Sequence, residues 1–143
     1  MRLLVCGSRL WTCGDTIETW LLAMNRAARR RNETITLIHG GCGKRNAQGV
    51  AYEGADEIAH DIASILGWTI ERYEADWSLG DSAGPIRNQY MFDHSCPDRG
   101  LAFGPLWKPG TRDRKRTGTG GMVDIMNAGG ILVTVVPKPG VMP

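Results

Sequence analysis

Four short segments carry residue types suited to holding an anion. Gly84-Pro85-Ile86-Arg87-Asn88 reads as a loop that ends at a helix N-terminus, where free backbone N–H groups and the helix dipole favour negative charge. Gly7-Ser8-Arg9 offers a hydroxyl, a backbone N–H and a planar guanidinium fork for phosphate or carboxylate; the plainer reading is a turn with a solvated arginine. His39-Gly40-Gly41 lets the backbone approach a phosphate closely. His39 is either a packed, hydrogen-bonded histidine or an acid/base group. Gly118-Thr119-Gly120-Gly121 precedes a helix and combines bare N–H groups with a threonine hydroxyl, which makes a phosphate seat or simply a turn that lets the helix start. None of these is a P-loop, because Lys44 is followed by Arg45, and none has the dinucleotide G-x-G-x-x-G spacing.

Carboxylates could turn such a site into an enzyme. Asp56, Asp76 and Asp124 are the candidate catalytic acids, and Asp81 is a further acid near them in sequence. Asp56 could instead bind ribose hydroxyls. Trp77 could stack on a base or pack against the sheet. No pair of acids has a spacing that indicates acid/base work, and no His, Cys, Asp and Glu pattern predicts a metal. No cofactor is expected. Cys42, in a predicted glycine loop, is a minor candidate for a reactive thiol.

The elements around these segments alternate. Apolar runs at residues 3–6, 34–38, 99–104 and 131–136, with the alternating stretch 68–73, predict five strands. Helical spacing predicts helices over residues 16–30, 53–66, from the 84–88 motif to about residue 94, and from residue 118 to the glycines at 129–130. Residues 44–52 and 105–117 read as polar insertions. Strand–helix alternation predicts an α/β fold, an open, mostly parallel five-stranded sheet flanked by helices, in one domain over residues 1–137 with a tail at 138–143. Ligands of such sheets sit beyond the carboxyl ends of the strands. The loops at 7–14, 39–52, 74–84 and 104–119 should share that edge and build one site for a phosphorylated ligand.

Composition narrows the classes. The chain has 143 residues, a net charge of +2, 42% hydrophobic residues and 19 glycines. That suits one soluble domain and does not by itself imply nucleic acid. The basic run at 112–116 is read as a solvated loop, a loop closing on an anionic ligand or, least favoured, a nucleic-acid contact. Four cysteines without a C-x-x-C pair suit free thiols in a reducing compartment. The N-terminal apolar run is too short for a signal peptide, and no run reaches the roughly 20 residues of a membrane span, so a cytoplasmic protein is expected.

Together the segments resemble a family. Gly7-Ser8-Arg9, Ile38-His39-Gly40-Gly41, Gly54-Ala55-Asp56, Ala75-Asp76-Trp77, Gly84-Pro85-Ile86-Arg87-Asn88 and Gly118-Thr119 stand in the order of the YspA-like branch of the SLOG superfamily of Rossmann-like proteins. The resemblance implies binding of a nucleotide or ADP-ribose-like ligand, as sensor or sponge, with Arg87, Asn88 and the Gly118-Thr119 turn near phosphate. It also implies a homo-oligomer. The alternatives it offers are an N-glycosidic or phosphoribosyl hydrolase of the cytokinin-releasing type and, less favoured, a DNA-associated protein similar to DprA. The phosphoribohydrolases carry a glutamate three residues after their threonine. The corresponding residue here is Met122, which argues against hydrolysis.

Overall fold

The structure, a computed structural model, describes residues 1–110 and 115–139. Most of the basic run falls outside that range: Arg112, Asp113 and Arg114 are not described, whereas Lys115 and Arg116 are. The elements are β1 (Arg2–Gly7), α1 (Gly14–Arg30), β2 (Thr36–His39), β3 (Lys44–Arg45), β4 (Ala51–Glu53), α2 (Ala55–Ile65), β5 (Thr69–Arg72), a 3-10 turn (Trp77–Ser82), α3 (Ala83–Ser95), β6 (Arg99–Phe103), α4 (Gly118–Ala128) and β7 (Leu132–Val136).

Five strands form one sheet in the order β5-β2-β1-β6-β7, and every pairing in it is parallel. The expected open α/β sheet is therefore present. Successive strand side chains point to opposite faces, and β1 divides its apolar residues accordingly. Leu3 and Val5 join the cluster that holds Ile17 and Leu21 of α1 and Ala59 of α2. Leu4 and Cys6 join the opposite cluster, with Met91 of α3 and Met122 and Met126 of α4. Burial on both faces is why β1 reads as an unbroken apolar run. The chain leaves β1 toward β2 and β5, then returns across it to β6, so the change of direction lies between β1 and β6.

Three predicted boundaries shift for local reasons. Residues 44–53 are not a loop but a small antiparallel hairpin, β3 with β4. It rests on α2 through Arg45, which contacts Glu57 Oε2 at 2.5 Å and Asp61 Oδ1 at 2.9 Å. The 74–84 loop contains the 3-10 turn, capped by Asp76, whose carboxylate accepts from the Ser78 amide at 3.1 Å. Gly84 and Pro85 are not a loop ahead of α3 but part of its first turn, where proline's missing N–H costs no intrahelical bond. The insertion before α4 is pinned by an antiparallel bridge between Trp107 and Arg116.

Candidate functional site

The four loops after β1, β2, β5 and β6 share the carboxyl edge of the sheet, as expected of parallel strands. Three of them enclose an open cleft of about 490 Å³, lined among others by Arg9, Gly40, Gly41, Lys44, Glu74 and Trp77. The fourth does not line it among the described residues. The crevice between β1 and β6 is closed instead. The Ser8 amide donates to the Phe103 carbonyl at 2.8 Å, and a Cβ added at Gly104 would stand 3.0 Å from Ser8 Cβ. The cleft therefore opens on the β2–β5 side of the switch point.

Arg9 follows β1 and is exposed. Its guanidinium carbon lies 4.6 Å from the centroid of the Trp77 ring. Trp77 is 51% exposed, so one large aromatic surface is presented rather than packed on the sheet. A cation over an aromatic face contributes about 0.5–1 kcal/mol where exposed. Lys44 and Glu53 of the hairpin form the opposite rim and pair at 3.3 Å. Glu74 pairs with Arg72 at 2.8 Å. The cleft thus carries both signs of charge, a flat ring and a backbone wall.

The glycine wall is directed inward. The Gly40 and Cys42 amides donate to Asp56 Oδ2 at 3.1 and 3.3 Å. The Gly41 amide donates to His39 Nδ1 at 3.0 Å. The Gly40 and Gly41 amides, expected to meet a phosphate, are engaged by the protein's own acceptors, as is the neighbouring Cys42 amide. The start of α2 is likewise sealed: the Ala55 amide donates to the Ser8 carbonyl at 3.1 Å and the Gly54 amide to the Trp11 carbonyl at 2.7 Å.

His39 is fully buried, and both its ring nitrogens are used. Because Nδ1 accepts from Gly41, the proton resides on Nε2, which donates to His60 Nδ1 at 2.9 Å. Burial, reinforced by His60, pushes His39 down to about 3. It is a neutral packed histidine under the loop, not an acid/base group facing the cleft.

Arg87 does not line the cleft; it is half-buried, borders a groove beside α3 and is engaged by the protein itself. Its Nη1 donates to the Gly40 carbonyl at 2.5 Å and to the Tyr73 carbonyl at 3.3 Å, and its Nε donates to Asn88 Oδ1 at 3.0 Å. Asn88, 7% exposed, passes the link on by donating to the Gly118 carbonyl at 3.3 Å. The most specific motif of the sequence is therefore a strut that ties the loop after β2 to the start of α4. Pro85 is exposed on α3 and does not line the cleft.

At α4, Thr117 is the cap, accepting from the Gly120 amide at 2.9 Å and donating to the Pro105 carbonyl at 2.7 Å. Thr119 is buried, and Gly120 lies so close to the Leu106 carbonyl that a Cβ there would collide with it. Gly118 and Gly121 have open space where a Cβ would stand. This turn sits apart from the cleft residues.

The three candidate acids are separated. Asp56 is buried, and burial pushes its carboxyl up to about 6. Asp76 caps the 3-10 turn and lines a second groove of about 480 Å³ beside α3, together with Leu79, Ile86 and Tyr90. Asp124 is held by Arg116, whose hydrogen bonds lower its carboxyl. Arg116 also stacks over Trp107, 4.3 Å from the ring centroid. Cys42 contacts the Arg87 guanidinium at 3.8 Å. No cluster of three or more metal-ligating side chains occurs among the described residues, and no described helix is long and apolar enough to cross a membrane.

Sequence reasoning missed Glu57, Arg45 and Arg72. Glu57 is 1% exposed and lies between the two arginines, with Arg72 Nη1 2.6 Å from its Oε1. The available signal was the pair Asp56-Glu57 on the first turn of an otherwise apolar helix face, two carboxylates placed where core residues belong. No family model matches the chain, and no curated protein matches it.

Proposed function

We propose that the chain binds a nucleotide or an ADP-ribose-like molecule in the cleft at the carboxyl edge of the sheet, as a sensor or sponge. The observation that carries this reading is Arg9 over a half-exposed Trp77 beside the Gly40–Gly41 wall. A flat aromatic accepts a base, a guanidinium accepts phosphate, and Glu53 or Glu74 offers acceptors to sugar hydroxyls. The cleft volume falls within the roughly 300–1,000 Å³ of small-molecule pockets.

Binding is favoured over hydrolysis because Asp56, Asp76 and Asp124 do not converge and each is engaged elsewhere. Met122 is 1% exposed and belongs to the core under α4, so the place of the phosphoribohydrolase glutamate is turned away from solvent. The DprA-like reading has little support among the described residues: Arg116 is committed to Asp124 and Trp107. A homo-oligomer remains part of the proposal from the resemblance alone, and light scattering measures it; a cytoplasmic location remains part of it from the sequence pattern.

Isothermal titration with adenosine monophosphate, adenosine diphosphate and ADP-ribose tests the reading. Arg9→Ala and Trp77→Ala should each weaken binding about tenfold, the loss of one charge-assisted contact or one stacking surface. Binding unchanged in both variants would sink the assignment of the cleft.

A further inference from the structure

Behind the cleft wall lies a buried charge. Asp56 projects from α2 and is 4% exposed. Its Oδ2 takes the amides of Gly40 and Cys42, two residues that line the cleft. Its Oδ1 is buried and has no hydrogen-bond partner among the described residues. The carboxylate therefore stands one peptide layer behind the surface that an anionic ligand would face. Elsewhere, loops of this kind aim their amides at the ligand's own negative charge; here the protein supplies that charge internally.

An unmatched carboxylate oxygen in the interior is costly, and such costs concentrate at functional places. The groups around Asp56 pull in opposite directions. Arg87 from α3 favours the carboxylate, as do the two amides, while Glu57 from the same helix opposes it. Cys6 of β1 lies within the field of Asp56 and is itself pushed well above the usual thiol range by burial. His39 of β2, hydrogen-bonded to His60 of α2, is held neutral by burial, with Arg72 of β5 and Arg45 of the hairpin adding to the effect. Burial outweighs them and holds the Asp56 carboxyl up at about 6, close to neutrality.

We propose that Asp56 is a proton-linked positioning residue of the cleft: when an anionic nucleotide binds, Asp56 takes up a proton, and the affinity for the anion rises as the pH falls. The proposal rests on the nucleotide-binding reading above. The proton comes from solvent and forms one O–H bond on the carboxyl; no other bond changes. The neutral acid still accepts from the Gly40 and Cys42 amides through its carbonyl oxygen, so the wall keeps its shape while the repulsion disappears. Reciprocity then requires that what raises the proton affinity also raises the ligand affinity at low pH.

ADP-ribose is the suitable probe, because its pyrophosphate keeps its charge between about pH 5.5 and about pH 8. Titration calorimetry in two buffers of different ionisation enthalpy should show net proton uptake, with affinity rising about tenfold from about pH 8 to about pH 5.5. Both effects should be absent in Asp56→Asn. Should that variant fail to fold, the Cγ resonance of Asp56 in the unaltered protein gives the same answer: its midpoint should move up by about one pH unit on saturation, the shift that a tenfold change in affinity requires. Binding with a flat pH profile, no buffer dependence and a stationary Asp56 midpoint overturns the proposal and leaves the cleft assignment standing. No binding of ADP-ribose, adenosine diphosphate or adenosine monophosphate at any pH overturns both.

Discussion

The Arg87 guanidinium and the Gly40 carbonyl meet at 2.5 Å, across 47 residues of sequence. A Cβ at Gly40 would stand 2.5 Å from the same Nη1, so a side chain there would push the guanidinium off the carbonyl. The guanidinium fork joins the loop after β2, the end of β5 and α3 in one place.

Arg87→Ala should lower stability by about 3 kcal/mol, since charge-assisted hydrogen bonds contribute about 1.5–3 kcal/mol each and half-buried carbonyls lose their donor. Arg87→Lys should recover little of this, because an ammonium cannot span the Gly40, Tyr73 and Asn88 acceptors at once. Urea denaturation measures both. A variant with unchanged stability but abolished nucleotide binding would instead make Arg87 a direct phosphate ligand.

His39 should stay neutral from about pH 8 down to about pH 5, with its proton on Nε2. Ring nitrogen NMR reports both properties. The folded state holds His39 at about 3, below its ordinary value of 6.5. The unfolded chain therefore binds the proton first as pH falls. This group's contribution is intact above about 6.5 and declines steadily toward about 3. A His39 ring that titrates near 6.5 would contradict the buried pair with His60.

Asp56 acts with the opposite sign. Its folded value of about 6 lies above the ordinary value of 3.8, so the native state holds the proton more tightly. From this group alone, stability is greatest below about 4, declines as the pH rises from about 4 to about 6, and levels off above. The difference corresponds to about 3 kcal/mol at neutral pH. Asp56→Asn removes that slope, and its gain relative to the unaltered protein should be larger at about pH 7.5 than at about pH 4.5 in urea denaturation. Equal differences at the two pH values would show that the carboxylate is not desolvated.

Met122→Glu restores the glutamate that the resembling phosphoribohydrolases carry, but at a position in the core with Leu4, Met91 and Met126. The variant should unfold or lose about 3 kcal/mol or more, and release no free base from nucleoside monophosphates on chromatography. A stable, hydrolytic Met122→Glu protein would show that α4 can turn this residue to the cleft.

Much of the architecture was legible from local pattern. Doubly buried strands write themselves as apolar runs such as Leu3 to Cys6, amphipathic helices as periodic ones such as Ile17 and Leu21, and their alternation implies a parallel sheet whose loops share one edge. The β3–β4 hairpin was not legible. Its strands are two and three residues long and depend on Arg45 reaching Glu57 and Asp61. The motifs also named segments without naming the acceptors of their polar groups. Arg87, Asp56 and His39 look alike in sequence, as polar residues beside glycines, whether they face a ligand or the protein. Which of these it is depends on orientation between elements. Asp56 meets Gly40 across 16 residues, His39 meets His60 across 21, and Arg87 meets Gly40 across 47. A buried donor or acceptor usually finds some partner, and packing brought internal partners to His39, to Arg87 and to Oδ2 of Asp56, leaving only its Oδ1 without one among the described residues. Arg9 and Trp77 remain open at the cleft because no described residue covers them.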